Sequence, residues 1–480
     1  MGFQSEIRIP KSEIEEWVFN PRFQIRRLGF QSEIPNPKSE IETRFTKDTT
    51  MSNTKPKHSL KGRTLYIPRM PYSGARVMAA TFESIGVEAR PVPPSDEHTK
   101  ELGNKYTSGD ECYPEKVTLG NFMGITEQEG FDPKKTAFMM MTANGPCRFG
   151  QYLIYQRKVL DDNGFEDVMI LSPTSENSYE DIGGQDVIRT AWRGMVSSDI
   201  LMKMLLKTRP YEINKGETDE VFEASLNDVC DAIREPGVTH KKKLTNMRNA
   251  LTRARDAFRA IPADYDPERP LIGVVGEIFC RLNMFSNEDL VRKIEEQGGE
   301  CWLSDVSEWV WYTNNEQQDN IRKKGKRVSL EMLGAKIKNA VQRKDEHALL
   351  EPFHEDFKGS EEPDVEEVLN YSYPYLPYTG ALGEMVLSVG KAIYLHKKGA
   401  DGIVDISPFT CMNGIVCEAI YPVVSRDYDH IPIRTFYFDG TQSDLESDVG
   451  IFLELAKAYK RRKRTKRVYS FKFEARAKAA

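Results

Sequence analysis

Short apolar runs alternate along this chain with stretches of helical spacing. Residues 64–67, Thr-Leu-Tyr-Ile, read as a strand. Over 71–86 the apolar positions Val77, Met78, Phe82 and Ile85 recur at helical spacing, and 87–92 reads as a second strand. Strand–helix–strand is the unit of a parallel sheet. The unit returns at 137–142, 149–160 and 167–171, and again at 271–279, 287–297 and 300–303. It appears once more at 402–406, 414–424 and 433–438. Between these sets, 186–206, 219–233 and 241–261 are helical in period and lack strands, while 315–365 is charged and reads as a partly mobile helical insertion. The pattern predicts an α/β protein with two Rossmann-like (flavodoxin-like) lobes, each with a parallel sheet, joined by helical segments. The first lobe spans 61–175, the helical connector 176–268, and the second lobe 269–459 with the insertion 315–365 inside it.

The two ends differ from this body. Gly2–Glu15 reads GFQSEIRIPKSEIE and Gly29–Glu42 reads GFQSEIPNPKSEIE, two copies that differ at two positions. Stacked-repeat folds need at least three units with an apolar face to bury. Two polar copies cannot supply that, so 1–60 is expected to be a disordered extension, with Met51 a plausible alternative start. At the other end, residues 460–480 hold ten Lys and Arg against one Glu, a net of +9 in a chain of net −6, so the remainder carries −15. An acidic body argues against a general nucleic-acid binder and leaves the basic tail as the one segment suited to such a contact. Its expected state is a solvated extension. No apolar run approaches the ~18–20 residues of a membrane helix and no secretory leader pattern opens the chain, so a cytoplasmic protein is expected.

Seven cysteines are scattered without a CxxC pair, which excludes zinc ribbons, thioredoxin motifs and a local ferredoxin run. Three of them share a setting. Cys147 lies five residues beyond the strand ending at Thr142, in NGPCRFG, and Cys411 five beyond Ile406, in SPFTCMNG. Both loops lead from a strand's carboxyl end into a helix, the edge where open α/β sheets bind ligands. Helix N-termini there are expected to lower a thiol pKa and favour an anionic metal–thiolate centre. Cys112 sits in a third compact loop, SGDECYPE. The alternative is that each is a buried small hydrophobe. Cys230 and Cys301 read as core, Cys280 ends a strand, and Cys417 follows Cys411 by six residues, about 240° around a helix. Glu111, Arg148 and Glu384 are further polar candidates, with Arg148 either offsetting charge or forming a surface pair. No paired histidines and no phosphate-binding glycine loop are found, so no nucleotide site is expected in this chain.

The loops GDECYPEK (109–116), NGPCRFGQY (144–152) and SPFTCMNG (407–414) resemble those of the 2-hydroxyacyl-CoA dehydratase component superfamily. The likeness is greatest to the carboxy-terminal part of the CoA-substrate-specific enzyme activase (activase-related) proteins. GEIFCRLNMFSNEDL (276–290), SEWVWYTN (307–314) and FYFDGTQSDLES (436–447) extend it over roughly 62–460. The resemblance implies that Cys112, Cys147 and Cys411 hold a [4Fe–4S] cluster with one iron free. Related double-cubane proteins hold a larger cluster, for which Cys280, Cys301 and Cys417 are the extra candidates. It further implies a separate ATP-dependent activase of the actin-like fold as electron donor, a small substrate such as an acyl-CoA to be reduced or dehydrated, and a homodimer or heterodimer. A non-catalytic electron-relay or regulatory subunit, and a metal-free structural α/β protein, are the rival readings.

Overall fold

The computed structural model describes residues 60–143, 147–174, 184–377, 383–441, 444–468 and 470. The expectations for the repeat in 1–59, for Gly145, and for the last ten residues of the tail lie outside these.

Two four-stranded parallel sheets carry the fold. The first holds β1 (Thr64–Ile67), β2 (Ala89–Pro91), β3 (Thr136–Met139) and β4 (Met169–Leu171) in the order β2-β1-β3-β4. The second holds β5 (Leu271–Gly276), β6 (Glu300–Leu303), β7 (Gly402–Pro408) and β8 (Ile433–Phe438) in the equivalent order β6-β5-β7-β8. All residues of β3, β5, β6 and β7 are buried. Burial on both faces is what a helix-covered parallel sheet requires; polar residues within these strands, among them Glu300 of β6 and Asp405 and Ser407 of β7, are buried with the rest. In each sheet the order reverses beside the central strand pair, β1/β3 and β5/β7, which opens a crevice at the carboxyl ends.

The helices of the first lobe are α1 (Tyr72–Glu83), α2 (Glu97–Tyr106), α3 (Tyr113–Thr126) and α4 (Phe149–Asp162). The sequence pattern did not predict α2 and α3. Helix α3 buries Val117, Leu119, Phe122, Met123 and Ile125, positions that go all around its axis, so no amphipathic stripe marks it. The connector is α5 (Gln185–Thr208), α6 (Glu217–Arg234) and α7 (His240–Ala260). These share one core through Trp192, Leu226, Met247 and Phe258, joined by Val77 of the first lobe.

In the second lobe, β5 ends at Gly276, earlier than expected, and α8 (Ile278–Leu282) and α9 (Leu290–Glu296) follow. The expected insertion is α10 (Val306–Lys323), α11 (Leu330–Leu350) and α12 (Val365–Ser372). It is anchored rather than loosely attached: Asp345 of α11 receives Arg193 (2.8 Å) and Arg189 (2.7 Å) of α5, with Arg193 and Asp345 fully buried. Then come α13 (Glu384–Lys397), α14 (Met412–Asp427) and α15 (Leu445–Arg462).

The basic tail is therefore not wholly a solvated extension. Its first residues close α15, Lys463 pairs with buried Asp401 (2.8 Å), and Arg467 pairs with buried Glu300 (2.6 Å). Asn283 donates to the Arg69 carbonyl (2.7 Å) and Lys100 to the Gly440 carbonyl (3.2 Å), which joins the lobes near their strand termini. Among the described residues, no helix is long and apolar enough to cross a membrane.

Candidate functional site

Three loops converge where the lobes meet. Cys112 is the N-cap of α3, Cys411 the N-cap of α14 after β7, and Cys147 stands two residues before α4. The N–H groups of Glu115, Phe149 and Gly414, in the first turns of these helices, favour the ionised forms of Cys112, Cys147 and Cys411, although neither Cys112 nor Cys411 accepts a capping hydrogen bond on its side chain. Three helix N-termini thus lie beside three sulfur atoms. Gly414 makes the Cys411 turn possible, since a Cβ there would lie 2.6 Å from Ser407 Oγ. Thr410, just before Cys411, is held at φ +65°, a left-handed conformation that costs a non-glycine residue energy and tends to persist where function requires it.

Arg148 ties the three loops together. Its Nη1 donates to the carbonyl of Asp110, two residues before Cys112, and its Nη2 to the carbonyl (2.9 Å) and Oγ1 (3.3 Å) of Thr410, next to Cys411. Its own neighbour is Cys147. Arg148 is therefore a strap on loop backbones rather than a surface ion pair, a use suited to a planar guanidinium with five donors.

The thiols themselves are less acidic than helix N-termini alone would make them. Burial pushes Cys112 up to about 11 and Cys147 up to about 12, and raises Cys411 as well. Desolvation outweighs the N–H donors, contrary to the expectation of lowered values. The groups also act on one another: charge on Cys112 raises Cys147, and charge on Cys147 raises Cys411. Tyr152, fully buried, hydrogen-bonds the Cys112 sulfur.

Glu277 and Glu384 complete the site. Glu277 directly follows β5, at the same carboxyl edge from which the cysteine loops leave β3 and β7. Its carboxyl accepts from the N–H groups of Phe279 (3.0 Å) and Cys280 (2.7 Å), and Glu384 accepts from Ile278 N–H (2.7 Å). Burial raises both carboxyl pKa values, and for Glu384 the charge of Glu277 adds to the effect. Both carboxyls act in turn on Cys147 and Cys411. Sequence reasoning selected Glu384 and missed Glu277, because the strand read over 271–279 placed Glu277 inside it, whereas β5 ends at Gly276.

Other candidates stand apart. Glu111 folds back onto Ser108 and Gly109 (N–H distances 2.9 and 3.1 Å) as a loop cap; burial opposes its ionisation, yet these donors hold its carboxyl below the usual value. Cys280 is buried on α8, senses the charges of Cys411 and Cys112, and points its thiol at the Ser286 carbonyl (3.8 Å). Cys301 is in the second-lobe core, against the Val291 carbonyl (3.9 Å), and Cys230 is in the helical core. Cys417 faces the Met385 carbonyl (3.6 Å) on the buried side of α14. Buried Arg281 lowers the carboxyl pKa of both Glu277 and Glu384, and its Nε has no hydrogen-bond partner among the described residues.

Soft thiolates with backbone N–H donors are the donor set that iron–sulfur clusters use. Among the described residues, no group of three or more His, Cys, Asp or Glu is placed to hold a single metal ion. The thiolates of a cluster each bind a different iron, so they stand farther apart than the ligands of one ion. No protein-family model matches this chain, and no curated protein sequence matches it.

Proposed function

We propose that Cys112, Cys147 and Cys411 hold a [4Fe–4S] cluster. On this reading the chain, like the dehydratase components it resembles, accepts low-potential electrons from a separate ATP-dependent activase and reduces or dehydrates a small substrate, an acyl-CoA among the candidates. The observation that carries the reading is the convergence of three cysteine loops, each leading into a helix N-terminus, under one strap, Arg148. A cluster bound there would supply one-electron reduction and, at an iron lacking a protein thiolate, a Lewis acid. The protein's part is to fix the three cysteine loops through Arg148, to set the N-terminal turns of α3, α4 and α14 beside the negative charge, and to raise the carboxyl pKa values of Glu277 and Glu384 by burial.

Metal content decides between this reading and a metal-free structural protein. Protein purified without oxygen should contain about four irons and four acid-labile sulfides per chain. The variant Cys112→Ser/Cys147→Ser/Cys411→Ser should lose them. Equal iron in the triple variant would sink the site, and about eight irons would point to a double cluster drawing on Cys280.

A further inference from the structure

Helix α14 leaves the site with an uncovered apolar face. Ile415 is 53% exposed, Met412 44% and Val423 38%, with Ala419 and Pro422 exposed between them. Phe409, 57% exposed, stands just before the helix. Positions 412, 415, 419, 422 and 423 fall on one side of an α-helix, and contiguous exposed apolar surface marks a docking face. Two charges border the stripe, both exposed: Glu418 one turn before Pro422 and Arg426 one turn after it. Glu418 accepts from Tyr437 (2.7 Å) and Arg426 contacts its neighbour Asp427 (3.1 Å, side chains 65% and 39% exposed). Such an exposed pair is worth little and leaves the guanidinium open to a better partner.

This charge order is complementary to its own reverse. We propose that α14 pairs antiparallel with α14 of a second copy of this chain, about a two-fold axis at Pro422, with Glu418 of each copy meeting Arg426 of the other. The interface is isologous, so both ion pairs form at once and the assembly closes as a dimer. The apolar stripe supplies burial, and the crossed charges set direction and register. The paired helix starts at the Cys411 cap, so the interface adjoins the three thiols and narrows the approach to them from that side. The inference does not depend on what the thiols hold.

The test is the mass of the full-length protein in solution, by light scattering and sedimentation over about a 100-fold concentration range. A dimer is expected. Glu418→Arg alone places two cations together, Arg426→Glu alone two anions, and each should weaken dimerisation at least ~10-fold. The double variant Glu418→Arg/Arg426→Glu should restore the dimer, as should an equimolar mixture of the two single variants. Ile415→Asp should give a monomer with an unchanged circular dichroism spectrum. A monomeric wild type, single variants that remain dimeric, or failure of both restorations would overturn the proposal. In the first two cases the stripe is covered by something else, either another segment of the chain or a different protein.

Discussion

Three cysteines show how strongly surroundings decide chemistry at the residue scale. The first turn of α3 favours the Cys112 thiolate, yet burial wins and pushes the thiol up to about 11. The linkage follows from the direction. The folded-state value is above the ordinary 9.0, so the neutral thiol's contribution to stability is complete below about pH 9 and is lost as pH rises toward 11. Metal-free protein should therefore alkylate slowly at Cys112 at pH 8, far more slowly than the denatured chain, with the rate rising steeply between pH 9 and 11. Peptide mapping after iodoacetamide treatment measures this, and rapid native labelling at pH 8 would contradict the burial argument. Arg148 adds a second residue-scale expectation. Arg148→Lys keeps the charge but cannot reach Asp110 and Thr410 together, so it should lose iron nearly as fully as Arg148→Ala. Iron retention by the lysine variant would show that charge, not the strap, matters.

Among the elements, α14 and α11 carry the clearest constraints. Glycine inside a helix normally costs ~1 kcal/mol against alanine. At Gly414 the sign reverses, because an added Cβ meets Ser407 Cβ at 2.8 Å as well as its Oγ. Gly414→Ala should destabilise by ~1–3 kcal/mol in urea unfolding and shift the turn that presents Cys411. Helix α11 is joined to α5 by Asp345, on which Arg189 and Arg193 both converge. Asp345→Ala would leave Arg193 buried without its carboxylate, at a cost of roughly 3–5 kcal/mol. An effect below ~1 kcal/mol would mean that water reaches the guanidinium.

For the whole molecule, the chain's last described residues secure the second lobe. Lys463 and Arg467 neutralise Asp401 and Glu300, which lie beside β7 and at the start of β6. Truncation after Arg462 should therefore destabilise the protein by several kcal/mol, through two buried carboxylates left unpaired. A truncated chain with unchanged thermal unfolding would show that the basic tail contributes charge alone. The same scale places the site. Both sheets reverse strand order beside their central pair, and the loops after β3, β5 and β7 bring Cys147, Glu277 and Cys411 to the meeting of the two lobes. No single lobe contains the whole set.

The sequence by itself determined the α/β class, both four-strand sets, the helical connector and the three loops worth watching. These features rest on local periodicity and on turn residues, which are written in neighbouring positions. Helix α3 stayed hidden because burial on several sides erases the helical stripe, and α2 because its buried face, Thr99, Leu102 and Gly103, holds a single large apolar residue. The tertiary structure alone decided that Cys112, Cys147 and Cys411 share one strap, that Glu277 joins Glu384, and that Glu111 and Cys301 stand aside. It also decided the thiol pKa direction, since desolvation comes from atoms far away in the chain. Separations of 35 and 264 residues leave no local trace; only packing of two lobes brings such positions together.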